Sequence, residues 1–133
     1  MFELKVVTHF SAAHQLKAFR GGCETLHGHN WKIEAYVMSD ALGDAGVVVD
    51  FRELKAALRS IMETLDHSFL NDLPAFKDTS PSSENIARYV ADQLAQRIPD
   101  PRVRVSRVTA WESENACATF YPNTGTAGRI SHL

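Results

Sequence analysis

The chain has 133 residues, of which 44% are hydrophobic and 23% charged, with a formal net charge of −2. That balance fits one globular domain spanning residues 1–133, with enough chain for a single core and too little for two. It excludes the basic footprint of a nucleic-acid binder and the apolar run of about 20 residues that a membrane helix needs. The opening Met-Phe-Glu-Leu-Lys lacks the pattern of a secretory signal, so a cytoplasmic setting with Cys23 and Cys117 as free thiols is expected.

In chain order, residues 5–16 alternate in part, with Phe10, Ala12 and His14 on one face, and read as a strand. Gly21-Gly22 marks a loop leading to Cys23. Residues 30–38 repeat the alternation, with Trp31, Ile33, Ala35 and Val37 on one side. After a turn-rich stretch, Asp50 with Glu53 three residues on predicts a capped helix start. Phe51, Leu54, Leu58, Ile61 and Leu65 then form one apolar stripe at helical spacing, ending before Asp66. Residues 71–81 read as a loop.

A second helix is expected from Ser82 or Ser83, carrying Ile86, Val90, Leu94 and Ile98 and stopped by Pro99 and Pro101. Val103 and Val105 open a third strand whose apolar phase slips near Arg107, which predicts a bulge. Residues 116–121 make a fourth strand, and the tail beyond about residue 122 reads as loose. The order strand, strand, helix, helix, strand, strand predicts an α+β fold: a four-stranded antiparallel sheet with two helices on one face. Its exposed edges need covering, and joining copies into a closed barrel would do it.

The chemistry concentrates in His14 and in Cys23-Glu-Thr-Leu-His27-Gly-His29. On a strand, His27 and His29 point to one face, and Gly28 between them adds no bulk where another backbone could pass close. With His14 from a neighbouring strand, three imidazoles offer a zinc site with an open fourth position and a thiol beside it. Cys23 could instead complete a closed structural site, and spacing alone leaves both readings open.

Five ordered motifs carry a resemblance that runs from about Phe2 to Tyr121. They are Phe10-Ser-Ala-Ala-His14, Cys23 with His27-Gly-His-Asn30, Asp66-His-Ser-Phe-Leu-Asn71, Ser82-Ser-Glu-Asn85 and Trp111-Glu-Ser-Glu-Asn115. In this the chain resembles the 6-pyruvoyl-tetrahydropterin synthase family, which has the tunnelling fold and assembles as homo-oligomers, trimers or dimers of trimers, closed into a barrel. Three residues separate Cys23 from His27, where pyruvoyl enzymes tend to have more. The shorter gap is similar to that of the bacterial 6-carboxy-5,6,7,8-tetrahydropterin synthases of queuosine biosynthesis.

The resemblance implies a lyase that converts 7,8-dihydroneopterin triphosphate to 6-carboxy-5,6,7,8-tetrahydropterin, releasing acetaldehyde and triphosphate. It implies Zn2+ on His14, His27 and His29, Cys23 as general base, and the Asp66–His67 dyad as a second proton carrier. Glu112 matches the family's pterin anchor, and Ser82 and Ser83 match small hydroxyl residues that touch the pterin. Lys17 and Arg20 are candidates to meet the triphosphate. The alternatives are a 6-pyruvoyl product, with every carbon retained, and a non-catalytic zinc-stabilised assembly module. The implied partners are the small pterin substrate and other copies of the chain, with no nucleic acid and no membrane.

Overall fold

The computed structural model describes residues 1–17 and 25–122; Cys23, Arg20 and the tail beyond residue 122 lie outside the described residues. Strand β1 spans Phe2–His14 and β2 spans His27–Ser39. They pair antiparallel along their whole length, with Phe10 opposite Trp31, Ala12 opposite His29 and His14 opposite His27. Strand β2 extends beyond the alternation at both ends, whereas β1 begins three residues earlier than expected and ends at His14, two residues short of the expected residue 16, where its pairing with β2 stops.

Helix α1 spans Phe51–Leu65 and α2 spans Ser83–Gln96. Asp50 caps α1 as expected, but its carboxylate accepts from the Arg52 amide and side chain, so Arg52 takes the place expected of Glu53. The buried stripe of α1 is Leu54, Leu58, Ile61, Met62 and Leu65. Phe51 is a correction: at the first turn it is 49% exposed, and Met62 fills the core instead. Helix α2 buries Ile86, Ala87, Val90, Ala91 and Leu94 and ends at Gln96, with Ile98 still packed against the core.

Strands β4 (Arg104–Ser113) and β5 (Ala116–Phe120) close the order. The phase slip near Arg107 is a bulge: Tyr36 faces Arg107 but Val37 faces Val105, so Ser106 is passed over. The four long strands pair antiparallel, but the sheet has five. A two-residue strand β3, Ser68–Phe69, pairs parallel with Ala12 and Ala13, giving the order β3-β1-β2-β4-β5. This corrects the four-stranded expectation. The stretch read as loop from residue 71 likewise contains short 3-10 turns, at Leu70–Asp72 and Pro74–Phe76, and buries Leu70 and Phe76.

The core lies between the helices and one sheet face. Val6, Phe10, Trp31, Ile33, Ala35, Val37, Val108 and Ala110 come from the strands, and the helix stripes meet them. The other face is polar, with Glu3 paired to Arg107 at 3.1 Å and Lys5 to Glu34 at 3.6 Å. No helix among the described residues is long and apolar enough to cross a membrane.

Candidate metal centre and active site

The core face of the sheet changes chemistry at the end where β1 finishes and β2 begins. Phe10 and Trp31 stack, centroids 5.8 Å apart and nearly parallel. Beyond Trp31 come His14, His27 and His29, and the Trp31 indole meets His14 and His29 edge-on at 5.1 and 5.3 Å. The two-residue period puts His27 and His29 on one face, and the antiparallel register sets His14 directly across from His27. His14 is fully buried.

Backbone carbonyls set the tautomers. His14 Nδ1 lies 2.7 Å from the Pro81 carbonyl oxygen and His27 Nδ1 lies 2.7 Å from that of Thr25. A carbonyl oxygen only accepts, so each Nδ1 carries the proton and each Nε2 keeps its lone pair when the ring is neutral. Those two Nε2 atoms face each other at 3.1 Å. Two lone pairs so placed call for a cation between them.

A fourth donor joins them. Glu112 Oε1 is 3.5 Å from His14 Nε2 and 3.6 Å from His29 Nε2. His14, His27, His29 and Glu112 each offer one ligand atom, and all of these lie within 4.8 Å of one another. A tetrahedral zinc ion with bonds of about 2.0–2.1 Å keeps its ligand atoms about 3.3–3.4 Å apart. The 3.1, 3.5 and 3.6 Å separations match that spacing, so the residues present fit a metal ion. Glu112 reaches the site because the β4–β5 register runs from Trp111 opposite Cys117 to Ser113 opposite Ala116. Glu112 sits in that bulge, outside the ladder. Sequence reasoning placed Glu112 in the site but not beside the imidazoles, since nothing in the alternation marks this second bulge.

Asp66 and His67 form a pair, His67 Nδ1 to Asp66 Oδ2 at 2.8 Å, where α1 ends against β1. The Ser11 backbone amide, at 2.8 Å, and then the His67 ring hold the Asp66 carboxyl below its usual range. His67 has φ of 54° and donates its own amide to the Ser11 carbonyl at 2.6 Å. Its side chain is 84% exposed, and it is outside the four-residue cluster. The chain thus forms the dyad but does not bring it into the histidine group.

Ser82 is occupied locally: its hydroxyl caps α2 by accepting from the Asn85 amide at 3.2 Å, and Ser83 begins that helix. Lys17 donates from Nζ to the Lys77 carbonyl at 3.0 Å. The close approach expected at Gly28 is absent among the described residues; an added Cβ would meet only the Ala12 carbonyl oxygen, at an ordinary 3.8 Å.

The family model for 6-pyruvoyl tetrahydropterin synthase matches residues 3–123. The chain is 31% identical over 121 residues to the 6-carboxy-5,6,7,8-tetrahydropterin synthase of Aquifex aeolicus, covering 74% of this chain and 75% of the relative. It is 41% identical over 92 residues to the protein of that name from Synechocystis, covering 65% and 70%. A 6-pyruvoyl tetrahydrobiopterin synthase of Poecilia reticulata is 35% identical over 107 residues, covering 70% and 73%. Among solved structures, the Caenorhabditis elegans 6-pyruvoyl tetrahydropterin synthase superposes with a TM-score of 0.80 at 25% identity, covering 92% and 96%.

Proposed function

Because the chain belongs to the 6-pyruvoyl tetrahydropterin synthase family, we propose that it is a zinc-dependent 6-carboxy-5,6,7,8-tetrahydropterin synthase acting on 7,8-dihydroneopterin triphosphate. The observation that carries the reading is the cluster of His14, His27, His29 and Glu112, set in a family of pterin synthases. The three-residue gap between Cys23 and His27, together with the Aquifex and Synechocystis relatives, supports the carboxy product. The Poecilia relative supports the second reading, a 6-pyruvoyl product.

In this reading His14, His27 and His29 hold the zinc, which supplies Lewis acidity to the substrate's side-chain hydroxyls. Glu112 accepts hydrogen bonds from the pterin's amino group and ring N–H, fixing the ring as well as binding it. Cys23 removes the proton from the side-chain carbon beside the ring, a task suited to a thiol whose pKa of about 8.5 falls near a cation. Asp66, its carboxyl held below the usual range, orients His67 through the 2.8 Å contact at Nδ1, so that His67 moves a second proton. Protons shifted from side chain to ring reduce the dihydropterin internally. With a water consumed, the side chain leaves as acetaldehyde and triphosphate, and the ring keeps a carboxylate. Ser82 and Ser83 line the pterin's approach, Lys17 and Arg20 serve the triphosphate, and copies of the chain assemble as trimers or dimers of trimers in the cytoplasm.

The test is incubation of zinc-loaded protein with 7,8-dihydroneopterin triphosphate and mass spectrometry of the products. 6-Carboxytetrahydropterin with acetaldehyde is the expected result. A product retaining all side-chain carbons would transfer the assignment to the pyruvoyl branch, and no turnover by zinc-loaded protein would leave the assembly module.

A further inference from the structure

Glu112 stands where two roles compete. In the reading above it meets the pterin ring, yet its carboxylate oxygen lies 3.5 and 3.6 Å from two of the imidazole nitrogens that face the metal position. Those separations are close to the ligand spacing of about 3.3–3.4 Å in a tetrahedral zinc site. We propose that Glu112 is the fourth metal ligand of the substrate-free protein, and that the pterin ring draws it off the metal as substrate binds. The proposal rests on the functional reading above in taking the cluster as a metal site and the pterin as its visitor.

The local structure suits a side chain that changes partners while its backbone stays. On one side Trp111 is pinned, its indole N–H donating to Glu34 Oε1 at 2.7 Å and its ring carrying the Lys32 ammonium at 4.8 Å. On the other, Ser113 Oγ accepts from the Asn115 amide at 3.3 Å. Between them Glu112 lies in the bulge, where no ladder partner faces it. Its side chain is 35% exposed, against 21% for His29 and 1% for His14, so the carboxylate is more open to a ligand than either of the imidazoles it faces.

The exchange couples ring recognition to opening of the metal. A carboxylate on the dication lowers its net charge and occupies the position that water would otherwise take, so reactivity is held back until a ligand is present. A molecule with suitable hydroxyls but no pterin ring offers Glu112 no N–H donors and cannot displace it. A pterin without a side chain does the reverse, taking Glu112 while leaving the metal to solvent.

The experiment uses the full-length protein loaded with cobalt(II) in place of zinc, read by visible absorption, with zinc affinity measured by chelator competition. Glu112→Gln is expected to lower zinc affinity at least about tenfold and to change the cobalt spectrum. Side-chain-free 7,8-dihydropterin is expected to shift the wild-type spectrum toward that of Glu112→Gln and to leave the variant's spectrum where it is. Glu112→Asp, which keeps the charge, should fall between the two and covers the case of a poorly folded Gln variant. The proposal is overturned if Glu112→Gln matches wild type in affinity and spectrum, or if dihydropterin binds by fluorescence without moving the wild-type spectrum. Wild-type protein that binds no cobalt or zinc at all would instead remove the functional reading on which it rests.

Discussion

The buried His14 ring donates to the Pro81 carbonyl at 2.7 Å, and one residue, Asn85, is bonded to the chain on both sides of Pro81, by its side chain on one side and its backbone on the other. Asn85 Nδ2 donates to the Ser80 carbonyl at 2.9 Å, and the Asn85 backbone N–H donates to the Ser82 hydroxyl at 3.2 Å. Outer partners of metal-binding histidines are worth about 10- to 100-fold in affinity. Asn85→Ala should therefore lower zinc affinity about tenfold, at a stability cost of about 1 kcal/mol for the lost hydrogen bond. Chelator competition beside a thermal melt checks this; unchanged affinity at a lowered melting point would confine the Asn85 side chain to loop order.

Removing the metal should destabilise the fold as well as silence it. A ligand that binds only the native state adds about 2.7 kcal/mol at a hundredfold excess over its Kd. Zinc-loaded protein should melt several degrees above chelator-treated protein, and His29→Ala should abolish most of that difference. Coincident melts for loaded and stripped protein would count against a metal at this cluster.

Trp31 is fully buried beneath the histidines, and its indole Nε1 has no hydrogen-bond partner among the described residues. Trp31→Ala should cost about 3–5 kcal/mol through lost burial and the cavity left behind. Trp31→Phe keeps the stacking on Phe10 and removes a buried donor that gains nothing, so it should cost well under half as much. Urea unfolding of the two variants decides, and equal losses would mean that ring size alone matters.

Much of this site could be read in the sequence. His27 and His29 follow from a period of two, and His14 follows once β1 and β2 pair with Phe10 opposite Trp31, since the same register sets His14 opposite His27. The fifth strand escaped because Ser68–Phe69 has no periodicity of its own; it is set beside Ala12 and Ala13 by the bonds that Asp66 and His67 make to Ser11 just after α1. The exposure of Phe51 escaped because helical spacing says which residues share a face and not how far the sheet extends beneath it. The contact of Glu112 with the imidazoles depends on a one-residue bulge, and a slip of that kind is set by tertiary fit rather than by local pattern.

His67 holds a left-handed backbone, φ of 54°, in a non-glycine residue, which costs about 1–2 kcal/mol. His67→Gly should raise stability relative to His67→Ala by about 1 kcal/mol, while both variants lose turnover alike. Melting points and product formation measured on the same preparations separate strain from chemistry. A glycine variant no more stable than the alanine variant would show that the backbone is not strained there.

Glu34 ties the site to acid stability. Its carboxyl is held below the usual range chiefly by the Trp111 indole N–H, against the opposing effect of burial, with Lys5 and Lys32 adding to the first. A carboxylate whose native pKa lies below its unfolded value of about 4.3 contributes its full stabilisation above that value. The contribution disappears as pH falls through the depressed native value. Glu34→Gln should therefore cost about 1 kcal/mol at neutral pH, and the gap from wild type should close as pH drops below about 4. Because the same hydrogen bond pins Trp111 beside Glu112, zinc affinity at neutral pH should fall modestly in the variant. Denaturant unfolding of both proteins from neutral to acid pH tests the sign, and a gap that stays constant or widens in acid would contradict it.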